Sequence, residues 1–212
     1  MIQLMMPPLM QQQQHLQQTP DDMLVIFGLG NPGPEYEGTR HNAGVETLEK
    51  LAASYHAKLV RRCFSSYKTC IITSESGKKV RLVFPLTYMN DSGRVVPKTV
   101  KDGDEVLVIC DQMDLPPGRV RLRSSGSSAG HNGLKSMMAY LPGNFKRLYV
   151  GVGRPEDGIP VIEHVLSRYS EEDRKRVDAA QDEAVSSLRQ YIEGEEFSRT
   201  EQTLNSFRGD IQ

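Results

Sequence analysis

Residues Gly28 to Gly44 read G-L-G-N-P-G-P-E-Y-E-G-T-R-H-N-A-G, directly after the apolar run Met23 to Phe27. A short run of apolar residues closed by Gly, Asn and Pro is the pattern of a strand buried on both faces and ended by a turn. Beyond the turn, Val45, Leu48, Leu51, Ala52 and Tyr55 follow helical spacing, so a helix is expected from Asn42 to about His56. Gly28-x-Gly30-x-x-Gly33 also matches the dinucleotide fingerprint. That fingerprint needs a helix that opens within the glycines, so that its N-terminus meets the pyrophosphate, and an acidic residue about 20 residues on at the end of a second strand. Here Pro32 and Pro34 keep the segment extended, and Glu46 and Glu49 fall inside the expected helix. The stretch therefore reads as a rigid turn that sets Asn31 and His41 on two sides of one cleft.

Working outward, further strands are expected at Leu59 to Phe64, Tyr67 to Thr73, Val80 to Phe84, Glu105 to Cys110, Arg119 to Arg123 and Arg147 to Gly153. Thr87 to Gly93 reads as a loop, followed by a short helix limited by Pro97. Ser124 to Gly130 reads as a Ser/Gly loop, and His131-Asn132-Gly133 opens a helix that carries Leu134, Met137, Met138 and Leu141. The remainder is helical, with Val177, Ala180, Ala184, Leu188, Tyr191 and Ile192 on one apolar face. Strands interleaved with helices predict an α/β fold: one domain over residues 23–212, with a mixed, largely parallel twisted sheet and helices on both faces. Residues 1–22 form a Gln/Met-rich tract without core-forming period, expected to be a disordered extension and lacking the features of a secretory or transit signal.

No apolar run approaches the ~20 residues of a membrane span. Cys63, Cys70 and Cys110 lack paired spacing and read as buried free thiols in a reducing compartment. The net charge of -1 hides a strong asymmetry: residues 1–60 sum to -3, 61–154 to +9 and 155–212 to -7. A basic middle between acidic ends is compatible with a localised phosphate-binding face.

Asn31, His41, Asn90, Asp111 and Asn132 all fall at expected strand ends or helix starts, where ligands bind in open α/β sheets. An Asp that accepts a hydrogen bond from one ring nitrogen of a His fixes its tautomer and leaves the other nitrogen as general base for a water. Amides can hold that water or donate to a developing oxyanion. The set fits hydrolysis of an activated carbonyl without a covalent intermediate, and no Gly-x-Ser-x-Gly elbow offers a serine nucleophile. His131 is a second candidate base, and a metal site from His41, His131 and Asp111 is a further alternative without paired ligand spacing.

Four strings occur in order: G-L-G-N-P-G-x-x-Y-x-x-T-R-H-N-x-G from Gly28, P-x-T-Y-M-N-x-S-G from Pro85, D-x-x-D-L-P-x-G from Asp111 and G-H-N-G-L-K-S from Gly130. Together they closely resemble the bacterial-type peptidyl-tRNA hydrolases, over about Met23 to Phe207. The resemblance implies a cytoplasmic, monomeric esterase that cuts the bond between a peptide and the 3′-terminal ribose of tRNA, without metal or cofactor. It implies His41 as general base and Asp111 as its support. Asn31 would help tell a blocked from an unblocked amino group, and Asn90 and Asn132 would hold substrate and attacking water. Tyr36, Tyr88 and Met89 match positions lining the cleft for the tRNA end and the peptide. Arg123 matches one of two basic positions that grip tRNA phosphate, whereas Tyr149 stands where an arginine is usual. Lys146, Arg147 and Arg154 are close enough in sequence to compensate, and the acidic C-terminal helices are expected to lie away from the acceptor stem or to cover the peptide side.

Overall fold

The structure, a computed structural model, describes residues 22–141 and 144–209. The expectation for the Gln/Met tract falls, save for Asp22, outside the described residues. Seven strands form one sheet: β1 (Leu24–Gly28), β2 (Val60–Arg61), β3 (Tyr67–Thr73), β4 (Lys79–Pro85), β5 (Glu105–Gln112), β6 (Val120–Arg123) and β7 (Lys146–Gly151), in the order β2-β3-β4-β1-β5-β7-β6. The centre is parallel, β1 pairing with β4 and β5 and β5 with β7. The edges are antiparallel hairpins, β2 to β3 to β4 on one side and β6 to β7 on the other. The mixed sheet with a parallel centre agrees with the fold class read from the sequence.

Parallel strands are buried on both faces, and all five residues of β1 are buried. Its alternation divides the core: Leu24 and Ile26 face one apolar cluster, Val25 and Phe27 the other. The first cluster is covered by α1 (Ala43–Ser54) and α5 (Glu171–Ile192), whose Leu48, Leu51, Ala184 and Leu188 are fully buried. Each buried Leu contributes about 1.5–3 kcal/mol. The second is covered by α2 (Val96–Thr99) and α3 (Asn132–Tyr140), which contribute Val96, Leu134 and Met137. Two shorter helices, α4 (Val161–Leu166) and α6 (Phe197–Ser206), complete the described chain.

Glycines in the opening stretch set how closely α1 approaches the sheet. A Cβ on Gly28 would lie 2.6 Å from the Leu48 Cβ, and one on Gly44 would lie 2.4 Å from the Ile109 carbonyl oxygen. The helix therefore rests directly on the ends of β1 and β5. It begins at Ala43, well past the glycines, with 3-10 turns at Pro34–Tyr36 and Arg40–Asn42 in between. Only a single 3-10 turn opens at Gly33, where the sequence reading expected Pro34 to keep the segment extended, and no α-helix begins within the glycines, in keeping with setting the dinucleotide reading aside.

Several boundaries differ from the sequence reading. The strand expected from Leu59 to Phe64 shrinks to Val60–Arg61, because a turn closed by Ser65 N–H on the Arg62 carbonyl leads straight back into β3. Cys63 falls in that turn and is exposed, Cys70 is partly buried, and only Cys110 is buried, so one of the three thiols fits the expectation fully. Thr87 to Gly93 is not irregular throughout: Met89–Val95 is a 3-10 helix running into α2. β5 continues through Asp111 to Gln112, since Asp111 pairs with Val150 of β7.

Candidate active site

The four sequence strings meet at the carboxyl end of the central strands, held together by named hydrogen bonds. Asp111, on β5 and 3% exposed, accepts at Oδ1 from His41 Nδ1 at 2.8 Å and from His131 Nε2 at 2.9 Å. His41 sits on the 3-10 turn before α1, and His131 is the N-cap of α3. The two imidazoles lie 5.2 Å apart, centroid to centroid.

The tautomers follow from the partners. The backbone N–H of Leu134 donates to His131 Nδ1 at 3.2 Å, so that nitrogen is an acceptor and Nε2 carries the proton given to Asp111. His131 thereby caps the helix and steadies the carboxylate, with neither nitrogen free to act as base. His41 gives its Nδ1 proton to the same oxygen, which leaves Nε2 as the basic nitrogen without a hydrogen-bond partner among the described residues. Of the two candidate bases in the sequence, His131 has both ring nitrogens engaged and His41 only one.

The electrostatics agree. Burial alone would raise the Asp111 carboxyl, but the two imidazoles and their hydrogen bonds outweigh it and hold the group well below the usual carboxylate range. Burial lowers the proton affinity of His41, while the charge of Asp111 and the hydrogen bond to it raise it, and the net direction is upward. The ligating atoms of His41, Asp111 and His131 lie within 4.8 Å of one another, close enough to consider an ion. Both Asp111 contacts and the Leu134 contact are accounted for as hydrogen bonds of this network.

Asn31, 8% exposed, is clamped by a residue whose role the sequence reading missed. Asn42 Oδ1 accepts from the Asn31 backbone N–H at 2.8 Å, and Asn42 Nδ2 donates to the Asn31 carbonyl at 3.0 Å. The Asn31 side-chain oxygen accepts from Met89 N–H at 2.8 Å, so the Asn31 amide nitrogen is the end left to donate. The only sequence signal for Asn42 was its place beside His41, since its partner lies across the turn.

Met89 is buried and contributes through its backbone and its packing: a Cβ on Gly133 would stand 2.5 Å from the Met89 sulfur. The second and fourth strings are also joined by Gly93 N–H donating to Ser136 Oγ at 2.9 Å. Tyr36 is partly buried and Tyr88 is exposed. Asn90 and Asn132 are exposed, and their side chains form no hydrogen bond among the described residues. A cavity of 490 Å³ reaches Asn31 and is lined by Pro32, Glu37, Glu49, Arg61, Lys68 and Leu86 among others, but by neither His41 nor Asp111.

Comparison with known proteins now bears on this geometry. The family model for peptidyl-tRNA hydrolase matches residues 25–210. The chain belongs to the peptidyl-tRNA hydrolase family. It is 43% identical to the peptidyl-tRNA hydrolase of Bacillus subtilis, over 77% of this chain and 88% of that protein. It is 47% identical to that of Geobacillus kaustophilus, over 74% and 87%. The crystal structure of peptidyl-tRNA hydrolase from Acinetobacter baumannii superposes with a TM-score of 0.80 at 34% identity, covering 89% of this chain and 97% of that one.

Within this peptidyl-tRNA hydrolase fold, the basic positions stand as follows. Arg123, half-exposed on β6, has its Nη1 3.5 Å from Glu201 Oε1 of α6, so the acidic C-terminal part borders this residue rather than standing apart from it. Tyr149 is buried beside it on β7, with Arg121, Arg123 and Arg147 all within electrostatic reach. Of the nearby cations, Lys146 is paired with Glu105 at 2.7 Å, and Arg154 with Asp114 at 2.5 Å. Arg147 is 1% exposed, its guanidinium 4.1 Å from the Phe145 ring centroid. The exposed Arg121 lies on the same face of β6 as Arg123. Among the described residues no helix is long and apolar enough to cross a membrane.

Proposed function

We propose that this chain hydrolyses the ester joining a peptide, or an N-blocked aminoacyl group, to the 3′-terminal ribose of tRNA, with His41 as general base. The observation that carries the assignment is the commitment of His41 Nδ1 to the buried carboxylate of Asp111, which leaves Nε2 to take a proton from water. The water attacks the ester carbonyl, His41 becomes an imidazolium stabilised by Asp111, and the proton then passes to the departing 3′-oxygen. Asn31 presents N–H to the acyl carbonyl of a blocked amino group, an oxygen that an unblocked aminoacyl-tRNA lacks. Asn90 and Asn132, exposed at the 3-10 helix and the start of α3, hold substrate and the attacking water. Tyr36, Tyr88 and the Met89 region line the path of the tRNA end and peptide, and Arg123 with Arg121 grips phosphate of the acceptor stem. The enzyme works as a cytoplasmic monomer on this reading.

The test is release of tRNA from N-blocked aminoacyl-tRNA by wild type and by His41→Ala. The variant is expected to lose at least 10²-fold in kcat/KM while still unfolding cooperatively, at a melting temperature lowered by the loss of one partner of buried Asp111. Activity within threefold of wild type would remove His41 from its role.

A further inference from the structure

Arg61 and Lys68 of the β2-β3-β4 edge line the cavity that reaches Asn31, but Arg62, Arg81 and Lys98 line no part of it. Residues 58–81 contain seven basic side chains and one acidic one. None of the seven forms an ion pair among the described residues, in contrast to Lys50, Lys146 and Arg174 elsewhere. At the tip of the turn between β2 and β3, Phe64 is fully exposed at φ 58, a conformation rare for an aromatic residue. The turn that displays it is tied down by Arg61 Nε donating to the Ser65 carbonyl at 2.9 Å. Beside it, a trough of 330 Å³ runs over the sheet face between Val60, Tyr67 and Ile71, with Arg62, Arg81 and Lys98 along it and no carboxylate in its lining.

A cationic trough beside exposed aromatic groups is the chemistry of single-stranded nucleic acid binding: the cations follow phosphates, and ring faces accept unpaired bases. A protein partner with an apolar face would gain nothing from Arg62, Arg81 and Lys98, whose trough holds no carboxylate. We propose that the β2-β3 hairpin is a second RNA-binding surface, which stacks an unpaired base on Phe64 and holds the flanking phosphates with Arg62, Arg81 and Lys98. It lies at the opposite edge of the sheet from Arg123, six strand spacings or roughly 30 Å away. Because Tyr67 pairs with Pro85, the turn stands at the same end of the sheet as Asp111 and flanks the catalytic cleft.

The test is a fluorescence-anisotropy titration of the full chain with a fluorescein-labelled eight-nucleotide oligouridylate at several salt concentrations. Phe64→Ala is expected to weaken binding about tenfold or more, and Phe64→Trp to preserve it with quenching of the new indole. Arg62→Glu with Lys98→Glu should reduce the slope of log K against log salt by about 1.4, about 0.7 for each lost phosphate contact on a single strand. The fold-loss caused by Phe64→Ala should be the same in an Arg123→Glu background, and bound RNA should protect the exposed Cys63 from alkylation. Absence of binding, equal binding by Phe64→Ala, or a Phe64→Ala effect that vanishes in the Arg123→Glu background would overturn the proposal. Tighter, Phe64-dependent binding of an acidic peptide of similar length would replace RNA by a protein partner. Since no ester is cleaved in this assay, its outcome is independent of the role given to His41.

Discussion

Replacing Asp111 by Asn removes one charge from the centre of the network while keeping its shape. An amide oxygen at this position can still accept from His41 and His131, now as neutral hydrogen bonds. The lost quantity is the attraction between the carboxylate and the imidazolium that forms as the water is deprotonated. At the observed 2.8 Å, and with an effective dielectric constant near 20, that attraction is about 6 kcal/mol. Part of it is offset by the cost of keeping the carboxylate out of water, and breaking buried pairs of this kind costs about 3–5 kcal/mol. Asp111→Asn is therefore expected to lower kcat/KM for N-blocked aminoacyl-tRNA by about 10²- to 10⁴-fold. The acid limb of the pH profile supplies a sign. In the native network the proton affinity of His41 is raised by Asp111 against the effect of burial, so removal of the charge leaves burial alone and the limb moves to lower pH. Stability shifts the other way: a carboxyl depressed in the folded state contributes stability present above its unfolded pKa of about 3.9 and lost as pH falls through the folded value. The variant should consequently lose less stability than wild type on acidification below about pH 4. Tritium-labelled tRNA release across pH and parallel thermal melts measure both. A rate within threefold of wild type, or an acid limb that stays in place or rises, would refute the reasoning.

Three further outcomes follow from the same contacts. His131→Ala leaves Asp111 with His41 as its sole partner in the network and removes the cap of α3; the acid limb should move to higher pH while the melt falls by the equivalent of about 1 kcal/mol. Asn42→Ala frees the Asn31 backbone on both sides, so the ratio of activity on blocked over unblocked aminoacyl-tRNA should drop at least fivefold in a side-by-side kinetic comparison, with the His41 pH profile unchanged. Gly44→Ala puts a Cβ 2.4 Å from the Ile109 carbonyl and pushes α1 off the sheet, a strain of about 1–3 kcal/mol or more that urea unfolding would register.

Much of this protein was written along the chain. The buried run before Gly28 and the helical spacing from Val45 to Tyr55 are local periodicities, so the strand, the helix and the α/β class were legible without coordinates. The strings around His41, Asp111 and Gly130 likewise carried the family, and they named the two residues, His41 and Asp111, that the fold brings into hydrogen-bond contact. Tertiary structure decided what no local signal encodes. The division of labour between His41 and His131 depends on one N–H, that of Leu134, which fills the second nitrogen of His131 and not that of His41. The orientation of Asn31 depends on Asn42 and Met89, brought beside it by a turn and by the 3-10 helix that follows β4. The isolation of Phe64 and its cations depends on β2 ending after two residues, where the sequence promised a longer strand. Hydrophobic period is a property of neighbours in the chain, and it fixes elements. The tautomer of a histidine and the counter-charge of an arginine are properties of neighbours in space, and only the packed sheet supplies those.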